Sequence, residues 1–400
     1  MAKLVYPPVG FGKWPWGLGG LSAEVPNTTA PVIPLTRWAQ MHLDVLARTT
    51  GSTAITRLSA ATLLGERAAL NGFVVPGATS AGGGCRLYPT RDGAIALALP
   101  RASDRALLPA LFGDPAADGE DDARLAARIA LSRAHEIVPL GRLLGLPVAR
   151  LGERPASPAV FLDTPGMPAC GRPESPLVID LSALWAGPLA SHLLGLAGAT
   201  VVKVESRSRP DAMRDGDPAL YARLNGSKAS VVLELRQAAG RAALIGLIRC
   251  ARVVIEASRP RALEQLGIDA RALVREVPGL AWITITGHGT RAEAGNWIGL
   301  GDDCGVAGGL SGALLRATGT VGFIGDAIAD PLSGIVAARD ASAMLARGSG
   351  GRVIVSMSGV VRAALRCERR RDAAGLDHDL RGWASARGRP FGCEIGRAHV

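Results

Sequence analysis

The chain has 400 residues, of which 48% are hydrophobic, 20% charged and 4% aromatic, and it carries a net charge of +10. That length supports about two or three domains with a substantial core, and basic residues that are nearly all scattered Arg, with few aromatics to stack bases, weigh against nucleic acid binding. No membrane span is expected, because the most apolar window, 181–199, is broken by Gly187, Pro188, His192, Gly195 and Gly198.

The start, Met1 to Val5, has no secretory pattern, so a cytoplasmic protein is expected. Met1 to Pro34 reads as irregular. Helical periodicity follows over 38–48 and 60–70, then a turn at Ser80-Ala81-Gly82-Gly83-Gly84, an alternating strand at 94–99, and helices near 103–111 and 122–144. These make a small α+β domain, 1–153, which a Pro-rich linker, 154–176, separates from what comes next.

From 177 the pattern alternates strand and helix. Strand 177–181, helix 188–197 and strand 200–205 form a βαβ unit, with Leu189, Leu193 and Leu196 on one helical face and Gly198 as the stop. The alternation continues with helix 239–250, strand 253–256, helix 269–276, strand 281–286, helix 331–346 and strand 352–357. The fold class is α/β: an open, mostly parallel, Rossmann-like sheet domain, 177–366, with the smaller α+β domain placed N-terminal to it. Residues 367–400 read as an irregular tail, and Glu394 to Val400 look like a translated sequencing adapter.

Common cofactor and nucleophile motifs are missing. Gly287-His288-Gly289 and Gly299-Leu300-Gly301 lack the third glycine of a dinucleotide site, and there is no Walker loop, GxSxG elbow or HExxH. Six widely spaced cysteines with no CxxC pair suggest neither a disulfide scaffold nor a metal site. Ala186-Gly187-Pro188 opens the first helix of the large domain, where Gly permits close approach and Pro fits the first turn; near Lys203, Arg207 and Arg209 it would also suit a phosphate. Asp330-Pro331 can be a plain N-cap followed by Pro at N1, or a carboxylate nucleophile at a helix start, with Asp326 as its local rival.

In order along the chain, Val178-Ile179-Asp180-Leu181, Ala186-Gly187-Pro188, Val202-Lys203-Val204-Glu205, Val254-Ile255-Glu256-Ala257, Gln265-Leu266-Gly267, Ile285-Thr286-Gly287, Gly308-Gly309 and Asp330 through Gly334 resemble the class III CoA-transferases and the related α-methylacyl-CoA racemases. The resemblance implies a transferase that moves coenzyme A between carboxylic acids. Asp330, four residues before Gly334, matches the nucleophile; Asp326 does not. The enzyme would hold no permanent cofactor, taking CoA and acyl-CoA as substrates, and would form a homodimer. Leu184, Trp185 and Ala186 match the turn that contacts CoA, and Leu233 and Arg236 its adenine and phosphate positions, while Lys203 and Arg207 are expected to add to the phosphate contacts by their charge.

Gly82, Gly83 and Gly84 match the family's glycine loop, which shields the nucleophile. They stand ahead of the large domain instead of after its first part, as if the order were rearranged or two modules fused. Ser206 stands where formyl-CoA transferase has an arginine, Trp185 replaces its glutamine and Gly301 its glutamate; Leu300 occupies the racemase histidine position. The alternatives are a racemase or isomerase with His288 or Asp302 as base, and a non-catalytic CoA-binding or basic interaction module.

Overall fold

A computed structural model describes residues 31–117, 121–169, 171, 174–258 and 261–392. The expected irregular start and the adapter-like end lie largely or wholly outside them. Ten strands are present among the described residues: β1 (Cys85–Thr90), β2 (Gly93–Ala98), β3 (Val148–Arg150), β4 (Val160–Pro165), β5 (Leu177–Asp180), β6 (Thr200–Ser206), β7 (Ala229–Leu233), β8 (Val253–Glu256), β9 (Ala281–Thr286) and β10 (Gly351–Ser356). The first three form an antiparallel sheet, and the other seven a sheet in the order β4-β10-β9-β8-β5-β6-β7, parallel throughout except for β4.

Every residue of β8, β9 and β10 is buried, as expected for parallel strands covered on both faces. The two faces separate with the period of the strand. Val178 and Ile283 point into the core shared with helices Ala186–Leu196 and Ala329–Arg347, while Ile179 and Trp282 point into the core beneath helix Ala238–Cys250.

The chain leaves β5 toward β6 and β7, then returns to the other side of β5 with β8, β9 and β10. That reversal makes the carboxyl ends of β5 and β8 the topological switch point, where a doubly wound sheet opens a crevice. A crossover helix runs antiparallel to its strands, so helix Ala329–Arg347, between β9 and β10, begins over this same edge.

Three expectations about the chain's organisation differ from what is observed. The segment 1–153 divides between two cores: Trp38, Leu43, Leu46, Leu63 and Leu64 join the principal core with Leu189 and Ala337, whereas the small lobe's own core gathers Ile95, Leu108, Leu125, Ile137 and Val148. The linker 154–176 contains β4, which closes one edge of the large sheet. The tail from 367 is helical, in Met357–Arg371 and Ala373–Ser385, because Leu376, Leu380 and Trp383 supply a buried stripe and the Trp383 Nε1 donates to Phe323 O at 3.0 Å.

Two local differences have local causes. The helix expected over 122–144 is two helices, Asp122–Ala130 and Ala134–Leu144, because Asp92 in the β1–β2 turn accepts from Ala134 N at 2.6 Å and caps a new helix start. The strand β1 went unread because Pro89 and the preceding glycines mask its alternation.

Candidate active site

The turn after β5 is held in a demanding conformation. Leu184 has φ 68°, which a branched side chain adopts only when its surroundings impose it. Asp211 supplies the restraint, accepting from Leu184 N at 3.1 Å and from Lys203 Nζ at 3.0 Å, while the same ammonium donates to Ser182 O at 3.0 Å. Lys203, 1% exposed, therefore braces this turn from within, and its ammonium is not offered to a phosphate. Behind it, Lys228 donates to Asp180 Oδ2 and to Pro188 O, both at 2.9 Å, tying the end of β5 to the start of helix Ala186–Leu196.

Glycines let this helix approach its neighbours. A Cβ on Gly187 would overlap Ser182 Cβ, and one on Gly334 would lie 2.7 Å from Ala186 O, so any larger residue would push helix Ala329–Arg347 off helix Ala186–Leu196. The contact brings Asp330 to the turn, where the backbone N-H of Ala186 donates to its carboxylate. Asp330 N in turn donates to Ala327 O at 2.9 Å. Ala327, with φ 42°, is a second strained residue beside the same carboxylate.

Asp330 does not stand alone. Asp302, at the start of helix Gly301–Ala307, accepts from Ala327 N at 3.1 Å and from the Ser80 side chain. Asp326 faces Arg67, Nη1 to Oδ1 3.2 Å. Burial pushes all three carboxyls up, to about 7 for Asp330 and Asp326 and about 6 for Asp302; the Arg67 guanidinium opposes that rise at each. Asp326 is fully buried, whereas Asp330 and Asp302 keep part of their surface exposed. Of the two aspartates the sequence left as local rivals, Asp330 is half-buried as a residue and Asp326 fully buried.

The glycine loop comes to this group from the N-terminal half. Ser80, which reaches Asp302, also accepts at its carbonyl from Gly83 N at 2.9 Å, and Gly83 has φ 76°. A Cβ on Gly82 would lie 2.9 Å from Arg67 Nη2. Gly301 is nearer still to the carboxylate, since a Cβ there would overlap Asp330 Oδ2. A site made from residues 67–84 and 186–330 is thus assembled within one chain.

The remaining expected contacts lie farther along the edge. Trp185 is buried, with its ring 5.5 Å from the Arg67 guanidinium carbon, and Leu184 is half-buried. Leu233 pairs with Ser206 at the carboxyl ends of β7 and β6, and the exposed Arg207 and Arg236 follow those ends. The register therefore gathers Arg207, Leu233 and Arg236 at one corner, where two exposed guanidiniums can meet phosphates. Lys203, like Trp185 and Ala186, is buried.

Arg67 had no place in the sequence reading. Its signal was Glu66-Arg67 in an otherwise Ala- and Leu-rich helix, a charged pair on a segment that had to be buried. His288, offered as an alternative base, is 1% exposed and packs against Trp297. Among the described residues, His288, Asp303 and Cys304 are a group whose ligand atoms lie within 4.8 Å of one another, all buried. Cysteine spacing could not have revealed it; the 3.8 Å from His288 Nε2 to Asp303 Oδ2 also fits a loose ion pair.

Comparison with known proteins covers part of the chain. The model of CoA-transferase family III matches residues 176–372. The succinyl-CoA–D-citramalate CoA-transferase of Chloroflexus aurantiacus is 32% identical over 173 residues, covering 40% of this chain and 43% of that protein. Human α-methylacyl-CoA racemase is 35% identical over 112 residues, 28% of this chain and 27% of that protein. The chain thus spans less than half the length of these relatives. A crystal structure of a hypothetical protein from Mycobacterium tuberculosis aligns with 27% identity over 52% of this chain and 59% of that one, at a TM-score of 0.45.

Proposed function

From the match of residues 176–372 to the model of CoA-transferase family III, we propose that the chain transfers coenzyme A from an acyl-CoA to a free carboxylic acid, with Asp330 as nucleophile. The observation that carries this reading is the setting of that carboxylate: partly exposed, fed by the Ala186 N-H, beside Gly301 and within the field of Arg67. A carboxylate stripped of water is a stronger nucleophile than one in solvent, and Arg67 keeps a fraction ionised near neutrality.

In the proposed sequence, an Asp330 oxygen attacks the thioester carbonyl and expels CoA thiolate, leaving an acyl-aspartyl anhydride. The thiolate attacks the aspartyl carbonyl and releases the first acid, which leaves a CoA thioester on Asp330. The incoming acid's carboxylate attacks that thioester, and the thiolate then attacks the new acyl carbonyl, regenerating Asp330. Each bond made replaces one broken, and no water enters.

The glycine loop Gly82–Gly84 would cover these intermediates, and Leu184, Trp185 and Ala186 would meet the pantetheine arm, with Leu233, Arg207 and Arg236 at the nucleotide end. Succinyl-CoA is the donor we would try first, since the matched Chloroflexus enzyme is named for it. Incubating the protein with succinyl-CoA and hydroxylamine should leave a hydroxamate on the peptide carrying Asp330. Modification at Asp326, or none, would sink the reading.

Asp302 favours a second reading. It lies close enough to Asp330 to raise that carboxyl, and two carboxyls with values of about 6 and 7 could act as base and acid on the α-carbon of an acyl-CoA. Uptake of solvent deuterium at that carbon without exchange of CoA between acids would select this racemase-type chemistry.

A further inference from the structure

Arg67 sits in a frame more elaborate than a counter-ion needs. Its guanidinium carbon lies 5.5 Å from the Trp185 ring and 5.7 Å from that of Phe73, so two aromatic faces from separate segments limit how the fork can turn. Nη1 is taken by Asp326 at 3.2 Å. Nε is buried without a hydrogen bond, 3.7 Å from the nearest carboxylate oxygen of Asp217. Nη2 lies beneath Gly82, at the one loop position where a side chain would press on it, 2.9 Å from where a Cβ would be.

The charge balance changes during the proposed reaction. The ionised form of Asp330 that attacks is an anion within the Arg67 field, but as an anhydride or a CoA thioester the residue carries no charge. At that stage the guanidinium has one anionic neighbour fewer, and an incoming carboxylate restores what was lost.

Resting on the transferase reading, we propose that Arg67 is the residue that receives and orients the carboxylate of the acceptor acid, using the Nη2 side of its fork under Gly82. The first-bound acid leaves from the same position, since the transfer is symmetric. The aromatic pair fixes the plane of the fork, and that plane sets the angle at which a carboxylate oxygen meets the aspartyl carbonyl. Gly82 is accordingly a specificity position as well as part of the loop.

The two half-reactions separate this from a purely electrostatic role. Wild-type, Arg67→Lys and Gly82→Ala proteins are compared at pH 8.5 in two assays: hydroxylamine trapping with succinyl-CoA, which needs no acceptor acid, and exchange of [14C]succinate into succinyl-CoA. Lysine keeps the charge and loses the fork. We expect Arg67→Lys to lose some trapping, since the first acid leaves from the same position, but to raise its KM for succinate by a larger factor, at least about tenfold. Gly82→Ala should raise the same KM more than it lowers trapping, without touching the charge.

If Arg67→Lys leaves the exchange KM unchanged, or if trapping and exchange fall in parallel in both variants, Arg67 serves Asp330 alone and the proposal is overturned. A wild-type protein that neither traps nor exchanges overturns the transferase reading itself, and the proposal with it. The wild-type control tells these failures apart.

Discussion

Asp180 and Asp326 are both sealed from solvent near the same edge of the sheet, and they titrate in opposite directions. Burial would raise either one. At Asp180 that pressure is outweighed by Lys228 and Lys203, with hydrogen bonds from Ser182 and Ser191, and the carboxyl is held well below its ordinary range. At Asp326 burial prevails; Arg67 opposes it, Asp302 and Asp217 reinforce it, and the carboxyl rises to about 7. The difference is one of stoichiometry. Two ammoniums answer two carboxylates at the brace, Lys228 with Asp180 and Lys203 with Asp211, whereas one guanidinium answers several at the reactive end, so the first region is built to stay ionised and the second to change state.

The brace should fail hardest. Lys228→Met removes the ammonium 2.9 Å from Asp180 and strands a carboxylate that is 0% exposed. Breaking a buried pair in this way costs about 3–5 kcal/mol. Urea denaturation should show that loss, and a variant of unchanged stability would mean that Lys203 alone suffices.

Asp326→Asn should do the reverse. The native value lies near 7 and the ordinary one near 3.8, so on raising the pH the unfolded chain ionises first, and stability drains away between about pH 4 and pH 7. The amide removes that drain: no gain below about pH 4, and a gain on the order of 4 kcal/mol at pH 8. A variant less stable than wild type at pH 8 would show that the Arg67 contact outweighs the burial.

What the sequence could show of this contrast follows from what each part rests on. β8, β9 and β10 are apolar runs whose burial is local, so the parallel sheet was readable, and Asp330 was readable because it lies in a short motif. The role of Lys203 was not. Whether an ammonium on a strand reaches out to a phosphate or in to Asp211 depends on a turn that only the folded backbone defines. Arg67 was hidden for a similar reason: it lies 259 residues from Asp326, on a helix that reads as part of a separate domain, and only packing of that helix into the principal core brings it to the site. The helical tail was missed because its stripe, Leu376, Leu380 and Trp383, is thin and set among charges.

Gly301→Ala tests whether position matters as much as charge at the reactive end. The added methyl would overlap Asp330 Oδ2, so the carboxylate must swing away from the Ala186 N-H while every charge stays in place. A displacement on the order of 1 Å costs roughly a hundredfold in rate. Trapping by hydroxylamine should fall by about that factor, and the thermal midpoint should drop as well, because the same methyl would meet the Ala327 carbonyl oxygen. Equal trapping would mean that the nucleophilic oxygen is not the one facing Gly301.

The smallest effect is also the most specific. Asp330 attacks as the anion, so the trapping rate should climb roughly tenfold per pH unit below about 7 and level off above it. Of the two acidic neighbours that raise Asp330, Asp302 has the larger influence and Asp326 the smaller. Replacing either by Asn removes a negative charge and eases ionisation, so both variants should move the midpoint of the profile to lower pH, Asp302→Asn by more. The same substitution at Asp180, whose carboxylate is matched by two lysines on the far side of the turn, should leave that midpoint where it was. A profile that ignores Asp302 would make Asp330 an ordinary buried acid, and the clustering of carboxyls around Arg67 would then have no part in the chemistry.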